Sequence, residues 1–120
     1  MAFDEYLVDR VRQIFKEKAA NFYEKKMMGG LIFMVNDKMC VGVDKDRTLN
    51  VDRLMVRVGL QAYEAALQME GASNMNFTGK AMKGFVFVGP DGFDTDKDLE
   101  NWINMALAFN PFAKSSKRNK

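Results

Sequence analysis

Histidine is absent from this sequence. That one absence removes the Ser-His-Asp and Cys-His nucleophile pairs, the usual zinc sites and the commonest general base. Cysteine occurs once, as Cys40, so no internal disulfide can form and a reducing compartment is expected. Its neighbours Met39, Val41 and Gly42 predict a buried, inert thiol. Long apolar runs are missing too: none approaches the roughly 20 residues needed to cross a bilayer. The N-terminus is acidic where a secretory leader would be basic, so a cytoplasmic protein with no membrane contact is expected. Charge of one sign is scarce, with 18 Lys and Arg against 16 Asp and Glu, a net of +2. So small an excess gives little attraction to phosphates, and direct nucleic-acid binding is not expected. We expect no catalytic residues, no metal and no cofactor.

What is present is a chain of 120 residues, 48% of them hydrophobic, enough for one self-sufficient core. Residues 3–20 read as a helix with Asp4 at its N-cap and Leu7, Val11, Ile14 and Phe15 on the buried stripe. On that reading Arg10, Arg12, Gln13, Lys16 and Glu17 face water. Strands follow at 22–28, 31–35, 39–43 and 54–58, with 44–52 a polar loop. Asn36-Asp37 reads as a two-residue hairpin turn, since both residue types tolerate positive φ. Gly29-Gly30 lies between two strands, which favours a tight turn over a phosphate cradle.

Residues 60–69 predict a short helix with Leu60, Tyr63, Ala66 and Leu67 inward. A loop runs through Ser73-Asn74, and a last strand covers 83–88. Gly89-Pro90-Asp91-Gly92 is a turn signal, and Thr95 caps a final helix over 96–108 that buries Leu99, Trp102, Ile103, Ala106 and Leu107. The fold class expected is α+β: an antiparallel sheet of about five strands and three helices, ordered α-β-β-β-β-α-β-α. The domain is expected over 1–112, with 113–120 a basic, disordered tail.

The central hairpin is apolar on both faces. A two-residue turn pairs Phe33 with Cys40 and Met34 with Met39. One face then carries Leu31, Phe33, Val35, Cys40 and Gly42, and the other Ile32, Met34, Met39, Val41 and Val43. A sheet with one wet face would alternate apolar with polar residues, so something must cover both. Three helices can cover one. The other predicts an apolar contact surface at Met34, Met39 and Val41, and with it a homodimer or another protein partner. Ten methionines suit such an adaptable surface, which Met55 would extend, better than a soft-metal site.

Several strings, taken in order, resemble one family. They are Lys25-Lys26-Met27-Met28-Gly29-Gly30-Leu31, Asn36-Asp37-Lys38-Met39-Cys40 and Leu54-Met55-Val56-Arg57-Val58-Gly59. Phe77-Thr78-Gly79-Lys80-Ala81-Met82-Lys83-Gly84-Phe85-Val86 follows, and then Trp102. Together they resemble the TfoX (Sxy) N-terminal domain, over roughly residues 4–110. Met28, Asp37 and Ala81 depart from its usual aromatic, glycine and proline. The resemblance implies a fold like that of small secretion chaperones, a regulatory or interaction role and no catalytic residues. Founding members regulate natural competence and carry a second, C-terminal domain that this chain is expected to lack, so competence regulation does not transfer with the fold.

Arg57 is the residue that most needs an explanation, because a charge inside an apolar strand must be paired. One reading is an internal salt bridge to a carboxylate such as Glu24 or Asp44, or a side chain that snorkels at a sheet edge. The other is an anion or partner contact shared with Lys26 and Lys83. A small-molecule or anion-binding domain using the second face and Arg57 is the alternative to the interaction module.

Overall fold

The computed structural model describes residues 3–27, 29–46, 48–77 and 80–113. Helix α1 covers Glu5–Glu17, and Asp4 caps it by accepting from the Tyr6 and Leu7 amides. Four strands follow: β1 (Phe22–Met27), β2 (Gly30–Val35), β3 (Lys38–Asp46) and β4 (Val51–Arg57). Helix α2 (Leu60–Leu67) leads to β5 (Ala72–Phe77), β6 (Lys80–Val88) and α3 (Asp96–Phe109). The six strands form one antiparallel sheet in the order β1-β2-β3-β4-β6-β5. No helix among the described residues is long and apolar enough to cross a membrane.

The sixth strand, β5, was expected as loop. Its Ser and Asn residues have low strand propensity, and Met75 is its fully enclosed apolar side chain. The polar stretch 44–52 is also largely strand. Asp44 faces Arg53 and Lys45 faces Asp52 across β3 and β4, so its charges pair between strands. Arg53 grips Asp44 through two bonds of 2.9 Å and lies 3.6 Å over the Phe87 ring.

Asn36 and Asp37 both take positive φ, 55° and 64°, as a two-residue primed turn requires. Met34 meets Met39 across it, as expected. Phe33, however, pairs with Val41 and not with Cys40, because the register shifts by one residue between Phe33 and Met34. This bulge turns Cys40 and Val41 toward the same side. It therefore moves Val41 and Val43 to the face of Leu31, Phe33 and Val35, and turns Gly42 toward Ile32 and Met55.

All the buried helix residues pack on that first face. Phe15, Phe22 and Phe33 join α1 to the sheet with ring centroids 5.3–5.8 Å apart. Trp102 is fully enclosed, and its Nε1 donates to the Gly92 carbonyl at 3.0 Å. Arg10 and Arg12 do not simply face water. Arg10 donates to the Phe93 and Asp94 carbonyls, and Arg12 holds Glu24 on β1.

Among the described residues, the second face is covered without any helix. Its cluster contains Ile32, Met34, Met55, Met75 and Phe87, with Met27, Met39, Met82 and Phe85 around them, all from strands. Met27 on one edge strand and Met75 on the other border the same small gap of about 10 Å³. In a flat six-stranded sheet those edges would lie roughly 24 Å apart at the usual strand spacing. The sheet is therefore rolled, and it buries its inner face against itself.

Met34 is consequently 1% exposed, inside the rolled sheet, and Val41 is fully buried under the helices. Neither presents the contact surface expected of Met34, Met39 and Val41. Only Met39 keeps partial exposure. Flexible thioethers suit this interior, because they fill the irregular space that curvature leaves.

Candidate functional site

Strand β4 ends at Arg57, and the chain crosses to α2 through Val58-Gly59. Gly59 takes φ +86°, and a Cβ there would run into the Phe109 ring. Its amide and that of Val58 both donate to the Gly84 carbonyl, at 3.0 and 2.8 Å. This ties the start of α2 to β6, and the Phe109 ring at the end of α3 closes over Gly59. The junction leaves a cleft of about 590 Å³.

Two cations border the cleft, Arg57 from β4 and Lys83 from β6. Phe85, Phe109 and Phe112 supply aromatic surface, and Leu60 and Gln61 bring the first turn of α2 to its rim. Arg57 lies 5.1 Å from the Phe85 ring centroid and 5.8 Å from that of Phe109, and its Nη1 makes a long 3.5 Å contact to the Met39 carbonyl. Burial lowers the Arg57 pKa from its ordinary value, against an opposing pull from Cys40. The carboxylates expected to neutralise Arg57 are engaged elsewhere: Glu24 by Arg12 and Asp44 by Arg53.

Of the three cations expected to act together, the fold brings Arg57 and Lys83 to one cleft. Lys26 stands on β1, the far edge strand, and does not border it. Cys40 is enclosed, and burial pushes its thiol up to about 12 against the opposing pull of Arg57. Among the described residues, no cluster of three acidic or cysteine side chains could hold a metal.

Leu60 was expected inward on α2 but is 70% exposed at the rim of the cleft. Phe112, at 80%, was not singled out in the sequence. The signal available was two phenylalanines flanking Asn110-Pro111, just where a helix must stop. Asn110 was missed as well. It is buried, donates to the Val35 carbonyl at 3.1 Å and accepts from Asn36 at 3.1 Å. That clamp fastens the end of α3 to the β2–β3 hairpin, and so fixes where Phe109 and Phe112 stand.

Residues 13–110 match the TfoX N-terminal domain. The chain belongs to the TfoX N-terminal domain family. The matched segment runs from within α1 to Asn110, so it takes in the whole sheet, α2, α3 and most of the cleft. Phe112 lies just beyond it. No curated protein matches the chain. Membership of the TfoX N-terminal family thus accounts for the strings from Lys25 to Trp102 and for the order of elements. The chemistry of the cleft rests on the residues of this chain.

Proposed function

We propose that this TfoX N-terminal domain is a non-enzymatic regulatory module that works by binding, and that the cleft between the end of β4 and the middle of β6 is its contact site. The observation that carries this reading is the meeting of Arg57 and Lys83 with three phenylalanines in one cleft of about 590 Å³. Exposed apolar side chains bordered by charge mark contact sites more often than they occur by chance. Five large hydrophobic side chains are exposed among the described residues, and two of them, Leu60 and Phe112, border this cleft. Family membership supports a regulatory role, and the lone buried thiol accords with a cytoplasmic location.

Capture from an extract of cells that make the protein tests this reading. Proteins would be identified by mass spectrometry, and small molecules would be released from the captured chain and identified likewise. Wild type should retain a species that Lys83→Glu loses. Equal retention by both chains would contradict the assignment of the cleft.

A further inference from the structure

The cleft has a chemical polarity that its volume makes usable. Its cationic side is set by Arg57 and Lys83, and the first turn of α2 adds the positive end of a helix dipole there. Its apolar side is aromatic, and Phe112 keeps most of its surface in water. A volume of about 590 Å³ falls within the roughly 300–1,000 Å³ usual for small-molecule sites. A guanidinium held between two rings is pre-oriented, so an anion that meets it need not first order a long side chain.

We propose that the cleft binds a small organic anion with a flat aromatic body. Its acidic group sits against Arg57 and Lys83, and its ring lies on Phe109 and Phe112. This deepens the binding-module reading and rests on it. Aromatic faces favour a flat partner, through offset or edge-to-face packing, over a bulky aliphatic one. Charge at one end disfavours neutral rings of the same shape, because they desolvate Arg57 and Lys83 without offering an opposite charge.

The test is a titration of the whole chain with 1-naphthoate, followed by amide NMR shifts and calorimetry. 1-Naphthamide serves as the uncharged control. Naphthoate should shift the amides of Gly59, Leu60, Gln61 and Gly84, and should bind at least about tenfold more tightly than the amide. Lys83→Gln should weaken naphthoate at least about threefold, and Phe112→Ala should weaken both compounds. Lys26→Gln, away from the cleft, should change neither. Arg57→Gln is the stronger lesion but also removes packing against two rings, so Lys83→Gln is the deciding variant. Equal binding of naphthoate and naphthamide, shifts centred elsewhere, or no binding at millimolar concentration would overturn the proposal. If a protein is captured through Lys83 while naphthoate fails to bind, the binding-module reading stands and the small-anion assignment falls.

Discussion

Trp102 and Glu24 show how single residues hold the site's framework. Trp102 was legible in the sequence as a core residue, from its place on the apolar stripe of the last helix. What the sequence did not reveal is its bond to the Gly92 carbonyl, which anchors the turn before α3. Trp102→Ala removes both the ring and that bond, and should cost roughly 3–5 kcal/mol in urea unfolding. A loss below about 1 kcal/mol would mean that the ring is not enclosed.

Glu24 is held below the usual carboxylate range by its hydrogen bonds to Arg12, which outweigh the opposing effect of burial. A carboxylate depressed on folding stabilises the protein above its unfolded value, near 4.5, and loses that contribution as pH falls through the folded value. Glu24→Gln should therefore narrow the difference in Tm between neutral pH and about pH 3. An unchanged difference would show that the Arg12 contact contributes nothing. Arg57 was legible as the anomalous charge, but its surroundings were not. Those depend on how α3 returns to the end of β4, a contact between distant parts of the chain.

At the scale of elements, helices were easier to read than strand register. Asp4 and Thr95 cap α1 and α3 as their sequence context implied. The Thr95 hydroxyl accepts from the Asp98 amide at 3.0 Å, so Thr95→Ala should lower stability by about 1 kcal/mol, measured as a shift in the urea midpoint with unchanged slope. An unshifted midpoint would show that the cap adds nothing. The hairpin turn was legible because Asn36-Asp37 has a local preference. The bulge at Cys40 was not, because no glycine marks it and apolar residues on both faces fit either register. One unread bulge then assigned Val41 and Val43 to the wrong face. Strand β5 escaped for the opposite reason: its side chains carry little strand signal, and its place is fixed by pairing with β6.

The whole molecule answers a question that the sequence could only raise. Two apolar sheet faces require two covers. The helices supply one, and the sheet's own curvature supplies the other, drawing Met27, Met34, Met39, Met55, Met75 and Met82 into a second core. Local sequence does not encode that curvature, so the inner face read as a surface awaiting a partner. With that face closed, the cleft beside the end of β4 is where exposed Phe112, two partly buried phenylalanines and two cations meet. The claim that one chain closes both faces is tested most directly by Met34→Asp, through circular dichroism during thermal melting and sedimentation equilibrium on the same samples. A carboxylate at a position 1% exposed has no water and no partner, so the variant should lose its cooperative melt. A variant that stays folded and cooperative, and sediments as a monomer where wild type sediments as a dimer, would contradict the rolled sheet and return the inner face to the role of an interface.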